Sequence, residues 1–113
     1  MPFINTKYSQ EITPEQEDIL KTELGKAIAI LGKSENWLML GFEQNCTLYF
    51  AGEKSEKIAY VDVSLYGGAS ASSCNMMTKE ICRIFQNVLG VPADKIYVKY
   101  TATDNWGWNG GNF

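Results

Sequence analysis

A chain of 113 residues is long enough for one packed domain and too short for two, so we expect a single domain over residues 1–113. Its net charge of −3 leaves no broad basic surface, which argues against nucleic acid or an anionic membrane as the main partner. The absence of histidine excludes Ser-His-Asp catalysis and histidine-ligated metals, and three cysteines without CxxC spacing disfavour a disulfide scaffold or a zinc ribbon.

The first part of the chain predicts a strand and then a well-marked helix. Phe3 to Thr6 is predicted as a short strand, and the polar stretch from Lys7 to Glu11 as a loop. Thr13 has the character of an N-cap, and Gln16 completes a capping box with it. Apolar residues then recur at helical spacing until Gly32, which is a natural left-handed stop for this helix.

Strands are predicted in the middle of the chain. The apolar run from Trp37 to Phe42 is predicted as a buried strand, and Leu48 to Phe50 as a short one. From Ile58 to Tyr66, aliphatic side chains alternate with polar or tyrosine side chains, which is typical of a strand with one face on the core. The glycine- and serine-rich segment after it breaks the pattern and supplies Ser72 or Ser73 as the cap of a second helix.

The second half of the chain repeats the plan of the first. The second helix runs to Leu89 and is stopped by Gly90, and Ile96 to Tyr100 is the last predicted strand. Because each helix lies between two strands, the chain is interpreted as a strand-helix-strand unit written twice. Two such units with right-handed crossovers predict an α/β fold, with a four-stranded mixed sheet and both helices on one face.

This architecture leaves the other face of the sheet uncovered, although the chain carries more aromatic surface than two helices can hide. The large side chains concerned are Trp37, Met39, Tyr60, Tyr66, Tyr97, Trp106 and Trp108. A large exposed apolar face is expected to mark an assembly interface, and cyclic symmetry is the usual solution. We therefore expect an oligomer whose sheets pack against one another.

Six stretches, spread in order from Pro2 to Phe113, resemble the macrophage migration inhibitory factor family of the tautomerase superfamily. They are PFINT, GK, LYFAG, SLYG, VPADKIYVKY and NWGWNGGNF. The resemblance implies two strand-helix-strand units per subunit and a homotrimer built around a central barrel of sheets. This fold agrees with the doubled plan inferred from the residues alone.

The resemblance also implies an activity, which is keto-enol tautomerisation of phenylpyruvate-like acids, and with it dopachrome tautomerisation. The general base of the family is its N-terminal proline, which by position is Pro2 here once Met1 has been removed. A secondary amine that is desolvated near a lysine loses stability in its charged form, so its pKa falls towards neutrality. No metal or organic cofactor is expected, because the amine itself transfers the proton.

Further site residues follow from the resemblance, position by position. Lys33 falls where the family holds the substrate carboxylate, and the backbone N–H of Tyr66 where it binds the substrate. Tyr97 aligns with the pocket tyrosine that a neighbouring subunit contributes. Lys99 replaces an asparagine of the animal protein, and as a cation it is expected either to strengthen the hold on the carboxylate together with Lys33 or to alter the choice of substrate. An aromatic rim and wall, partly on a glycine-rich C-terminal loop, are expected from Trp37, Trp106, Trp108 and Phe113.

Two rival functions stay open at this point. One is a cytokine-like binding protein that acts on a cell-surface receptor while its pocket is vestigial. The other is a tautomerase relative with a different reaction, such as decarboxylation or dehalogenation, although no arginine or acid partner for these lies near the motifs. The thiol-oxidoreductase CxxC motif of the family is missing, because GEKSEK occupies its region.

The sequence also predicts where the protein acts. No apolar run approaches the roughly 18 residues of a membrane span, so no membrane insertion is expected. The start of the sequence lacks the pattern of a secretory signal. We therefore expect a cytoplasmic protein, and the receptor-binding alternative requires secretion without a signal peptide.

Overall fold

The computed structural model describes residues 1–54 and 57–113, so Ser55 and Glu56 of the predicted charged loop GEKSEK lie outside the described residues. The first strand-helix-strand unit consists of β1 (Pro2–Tyr8), α1 (Pro14–Ala27) and β2 (Met39–Glu43). β1 and β2 pair in parallel, as a connection through a helix requires. The first predicted unit is therefore confirmed, with different strand boundaries.

α1 begins where the capping box predicts. The Thr13 hydroxyl accepts a hydrogen bond from the Gln16 backbone N–H at 3.2 Å, and the Gln16 side chain accepts one from the Thr13 N–H at 3.0 Å. After Ala27 the chain tightens into a short 3-10 turn, Ile28–Leu31, which the sequence pattern does not separate from the helix. Gly32 then adopts a φ of 72° and ends the helical segment, as predicted.

β1 is longer than the sequence predicts. Lys7 and Tyr8, predicted as the start of a loop, continue the antiparallel ladder opposite Tyr60 and Ala59. Tyr8 is buried because alternate residues of β1 face the helices. The loop prediction is therefore wrong for these two residues. The polar residues around them in the sequence obscure the alternation of buried and exposed positions that marks a strand.

β2 begins later than predicted and is not buried. Trp37 lies in a short 3-10 turn, Glu35–Trp37, and the strand starts at Met39. β2 forms one edge of the four-stranded sheet, where β1 is its one partner strand among the residues described, and its side chains are half-buried or exposed. The apolar run therefore belongs to an exposed edge strand rather than to a buried one.

Two short strands lie between the repeated units. β3 (Tyr49–Phe50) and β4 (Glu53–Lys54) pair as an antiparallel hairpin. Its two turn residues, Ala51 and Gly52, have φ angles of 51° and 81°, as a type I′ turn requires. The strand predicted over Leu48 to Phe50 is thus confirmed for its last two residues.

The second unit consists of β5 (Ala59–Tyr66), α2 (Ala71–Leu89) and β6 (Ile96–Thr103). Alternate β5 residues are buried, which confirms the predicted two-faced strand. β6 pairs in parallel with β5 and continues past the predicted end at Tyr100. The doubled strand-helix-strand plan is therefore present in both halves of the chain.

Ser70, not Ser72 or Ser73, caps α2. The Ser70 hydroxyl accepts a hydrogen bond from the Ser73 backbone N–H at 3.0 Å, so the cap lies two residues before the first predicted one and the helix starts at Ala71. A run of serines offers several possible caps, and the sequence alone does not decide between them. The helix ends at Leu89, and Gly90 closes it with a φ of 71°, as predicted.

The C-terminal segment forms a small hairpin where a loop was predicted. β7 (Gly107–Trp108) and β8 (Gly111–Asn112) pair antiparallel. The two residues between them, Asn109 and Gly110, both have positive φ angles, 53° and 85°. Asn-Gly is the preferred dipeptide of a type I′ hairpin turn, so the signal for this element was present in the sequence.

The main sheet has the strand order β2-β1-β5-β6, with β1 and β5 antiparallel at its centre. The core lies between one face of this sheet and the two helices, which pack against each other. Its largest fully buried side chains include Phe85, Ile4, Leu20, Leu24, Ile28 and Met77. The predicted mixed sheet with two helices is confirmed.

The opposite sheet face, here called the open face, is covered by no layer of the described residues. Met39 and Tyr97 are 66% and 65% exposed, and Trp37 is 46% exposed. Large apolar side chains on one face of a small protein mark a surface that another molecule covers. Within residues 1–54 and 57–113, no helix combines the length and apolar character needed to cross a membrane.

Candidate active site

A cleft of about 360 Å³ lies at the end of the sheet where β1 begins. Its lining comes from three segments, the start of β1, the turn before β2 and the C-terminal hairpin. The side chains that matter below are Met1, Pro2, Phe3, Trp37, Trp106 and Trp108. The structure therefore brings the predicted base and three predicted rim tryptophans to one cavity.

The aromatic wall of this cleft is a connected series of rings. Trp37 meets the edge of Trp108 with ring centroids 5.0 Å apart, and Trp108 stacks on Phe113 at 6.1 Å. Phe113 in turn lies 5.4 Å from Tyr66 at the end of β5. The C-terminal hairpin holds this series in place, because the Phe113 N–H donates a hydrogen bond to the Trp106 carbonyl at 3.1 Å.

Lys33 lies beside the start of β1 because the left-handed Gly32 turns the chain there. The Lys33 ammonium donates a hydrogen bond to the Tyr66 carbonyl oxygen at 3.0 Å. Burial lowers the pKa of the Met1 amino group below its ordinary value, and the charge of Lys33 lowers this pKa further. The beginning of the chain is therefore a place where an amine is disfavoured in its charged form.

Met1 has a second contact that matters for the site. The Tyr66 backbone N–H donates a hydrogen bond to the Met1 carbonyl oxygen at 2.9 Å. Removal of Met1 would leave this N–H without its partner, next to the new amino terminus at the buried Pro2. The arrangement can then supply three groups to a bound acid: an amine base, a backbone donor and the Lys33 cation.

Tyr97 and Lys99 lie outside this cleft. In the sheet register Pro2 stands opposite Leu65, whereas Tyr97 stands opposite Tyr60. Five strand positions separate these two levels, which is about 17 Å along β5. Within one chain the structure therefore groups seven of the predicted site residues and leaves these two at the other end of the open face.

Sequence reasoning did not identify two sets of residues, one in the cleft and one beside Tyr97 and Lys99 at the other end of the open face. Phe3 and Leu38 line the cleft, whereas the sequence predicts for them only a place in strands. At the far end, the Phe50 ring lies 5.2 Å from Tyr97, and the Asp62 carboxylate lies 3.8 Å from the Lys99 ammonium. The alternation of β5 indicated that Asp62 faces away from the core, but not which cation it would meet.

Comparisons with known proteins agree with this geometry over the whole chain. The family model described as "Macrophage migration inhibitory factor (MIF)" matches residues 1–113. The crystal structure of Leishmania major MIF2 is 34% identical with a TM-score of 0.93, and the match covers 100% of this chain and 97% of that one. The macrophage migration inhibitory factor of Xenopus laevis is 26% identical, over 97% of this chain and 95% of the relative.

A more distant solved structure shares the fold. It is described as "Q0 fused 4-OT wild type symmetric trimer", is 18% identical and has a TM-score of 0.85, with 96% of this chain and 93% of that one covered. The doubled strand-helix-strand fold, with a proline at the start of its first strand, defines a protein of the tautomerase superfamily. Within that superfamily, this chain belongs to the macrophage migration inhibitory factor family.

Proposed function

We propose that this protein is a keto-enol tautomerase of aryl-substituted 2-keto acids such as phenylpyruvate, with Pro2 as the general base after removal of Met1. The observation that supports it best is the position of the amino terminus, which is partly buried beside Lys33 and beside the Tyr66 backbone N–H. An uncharged amine near neutral pH is the base that this chemistry needs in a chain without histidine.

The proposed reaction moves one proton and needs no oxidant or reductant. The nitrogen lone pair of Pro2 takes a proton from the carbon next to the ketone, and the electron pair of that C–H bond forms the C=C bond of the enol. The carbonyl oxygen receives a proton from the Pro2 ammonium, directly or through water. Lys33 holds the substrate carboxylate, and the Tyr66 N–H donates to a substrate oxygen.

We further propose that three copies assemble with their open faces inward. Tyr97 is 65% exposed and lies about 17 Å along the sheet from the level of Pro2, so a pocket that contains both needs a second copy. Closed cyclic symmetry buries such a face on every copy equally. A protein of related fold, 18% identical to this chain, is described as a symmetric trimer.

The function is tested by a phenylpyruvate assay on protein whose N-terminus has been established by intact mass. The chain that begins at Pro2 is expected to convert the enol to the keto form, whereas a chain that keeps Met1 is expected to be inactive, because its amine is displaced and the Tyr66 N–H is occupied. Full activity in the chain that keeps Met1 would rule out Pro2 as the base. Inactivity of both chains would rule out the proposed reaction.

Replacing Lys33 with glutamine is expected to change both binding and pH dependence. Loss of the cation raises KM for phenylpyruvate by about tenfold, since a charged hydrogen bond contributes roughly 1.5–3 kcal/mol. Lys33 lowers the pKa of the Met1 amine, and we expect it to act in the same direction on the Pro2 amine that replaces it; without Lys33 the pKa of the Pro2 amine is then higher, and the acid limb of the pH profile of kcat/KM moves to higher pH. Steady-state kinetics across pH measure both effects. As a control, Lys33→Arg keeps the charge and should shift the acid limb of the pH profile less. A shift of this limb to lower pH in Lys33→Gln contradicts the role of Lys33 as the cation beside the amine.

The receptor-binding alternative stays a prediction, as do the dopachrome activity and the cytoplasmic location. A complex with a cell-surface receptor that forms equally well with Pro2→Gly would favour a binding function. The same variant loses most of its activity under the enzyme proposal, so one protein separates the two functions.

A further inference from the structure

The amide between Met1 and Pro2 shows which kind of group the Pro2 nitrogen can carry in this fold. Its carbonyl oxygen accepts a hydrogen bond from the Tyr66 backbone N–H at 2.9 Å. Pro2 is buried at the start of β1, so the atoms attached to its nitrogen have a defined place at the rim of the cleft. The structure therefore describes a site for a planar N–C=O group on Pro2, with a hydrogen-bond donor in position for its oxygen.

The surroundings of this amide favour a negative charge. The Lys33 ammonium donates a hydrogen bond to the Tyr66 carbonyl oxygen at 3.0 Å, and its charge disfavours the charged form of the Met1 amino group. A positive charge that destabilises an ammonium group stabilises an anion in the same place. No acidic side chain is found among the described residues that line the cleft. An anionic group on the Pro2 nitrogen would therefore meet a donor and a cation without a competing carboxylate side chain in the lining.

Carbon dioxide converts an uncharged amine into a group of this shape and charge. The nitrogen lone pair attacks the carbon of carbon dioxide, one electron pair of a C=O bond moves onto its oxygen, and the N–H proton leaves to water. The product is a carbamate, and its formation needs no oxidant or reductant. On Pro2, the carbamate nitrogen, carbon and one oxygen match the corresponding atoms of the Met1–Pro2 amide, and the second oxygen takes the place of the Met1 Cα.

We propose that the chain that begins at Pro2 binds carbon dioxide reversibly as a carbamate on the Pro2 nitrogen, held by the Tyr66 backbone N–H and by Lys33. The proposal rests on the removal of Met1 that the proposed function requires. The carbamate uses the lone pair of the base and occupies the donor and the cation that a substrate needs, so carbon dioxide inhibits the tautomerase. An ordinary lysine amine is charged near neutral pH and competes poorly for the gas.

The carbamate is detected directly, without an activity assay. The chain that begins at Pro2, established by intact mass, is equilibrated with isotopically labelled carbon dioxide at constant pH and ionic strength. Trapping with a trialkyloxonium salt converts the carbamate into a stable ester, and peptide mass spectrometry locates it. The labelled ester is expected on Pro2, and a chain that keeps Met1 cannot carry it there because its Pro2 nitrogen is an amide.

Two lysine variants test how the carbamate is held. Lys33→Gln is expected to lower the affinity for carbon dioxide by about tenfold, since it removes a charged partner of the anion. Lys21→Gln, on the exposed side of α1, is the matched control and leaves the affinity unchanged. In the phenylpyruvate assay, carbon dioxide is expected to raise the apparent KM and to leave kcat unchanged, with chloride at equal ionic strength as the reference.

The outcomes separate this inference from the proposed function. An active protein without a labelled ester on Pro2 overturns the carbamate and leaves the function standing, whereas an ester on a protein that does not convert phenylpyruvate contradicts the reaction alone. Inhibition without a trapped ester identifies bicarbonate as a simple bound anion and overturns the inference. An affinity of Lys33→Gln within twofold of the unaltered protein also overturns it.

Discussion

Replacing Pro2 with glycine is expected to lower kcat/KM for phenylpyruvate by about 100-fold or more, which is the usual contribution of a positioned general base. Glycine keeps an amino group, but the amine becomes primary and rotates freely about its N–Cα bond. Proline holds the nitrogen in a ring at the buried start of β1, so its lone pair stays in one direction. The measurement is the enol-to-keto rate with phenylpyruvate across a range of substrate concentrations.

A second proline provides the control for this substitution. Pro14 is exposed at the first position of α1, outside the cleft, and Pro14→Gly is expected to leave kcat/KM within about twofold because surface changes seldom reach a distant site. Circular dichroism and intact mass confirm that each variant is folded and has lost Met1. A Pro2→Gly protein that keeps more than a tenth of the activity would contradict the assignment of the base.

Replacing Phe85 with alanine is expected to reduce the free energy of unfolding by about 3–5 kcal/mol. Phe85 lies on α2 with no exposed surface, and it is the largest fully buried side chain. Its removal leaves a cavity between the two helices and the sheet, which the packed neighbours cannot close completely. Urea denaturation at one fixed protein concentration measures the change, since the stability of an oligomer depends on concentration.

Met76 lies on the same helix and provides the comparison. It is 56% exposed, so Met76→Ala is expected to change the free energy of unfolding by no more than about 0.5 kcal/mol. Both substitutions place alanine in a helix interior, where its propensity is the highest of all residues. A loss for Phe85→Ala as small as that for Met76→Ala would mean that α2 is not packed on the sheet as described.

The parts of the fold that could be predicted are those specified by neighbouring residues in the sequence, such as helix caps and stops. The capping box at Thr13 and the two stop glycines are short-range signals: α2 ends directly before Gly90, and the first helical segment ends at Gly32 after a 3-10 turn. Strand edges were less predictable, because whether Lys7 or Trp37 lies in a ladder depends on the neighbouring strand and not on the residue itself. The Asn-Gly turn at Asn109 was a readable signal that the loop interpretation passed over.

The site could be predicted only through the resemblance of the whole chain. Pro2 alone has the pattern of an ordinary strand start, and no spacing rule connects it with Lys33 or with Trp108. The hydrogen bond from Tyr66 to Met1 depends on the antiparallel pairing of β1 with β5, which joins residues 65 positions apart. The position of Tyr97 and Lys99 at the other end of the open face likewise follows from the sheet register, which local sequence patterns do not specify.

Both ends of the chain lie at the same cleft, and this governs how the protein can be handled. Met1 bonds to Tyr66 through its carbonyl, while the ring of Phe113 lies 5.4 Å from the Tyr66 ring. An N-terminal affinity tag would block the terminal amine, and a C-terminal tag would disturb the packing of the aromatic wall. Immobilisation or labelling is therefore better directed to the helical surface, for example at the exposed Lys21.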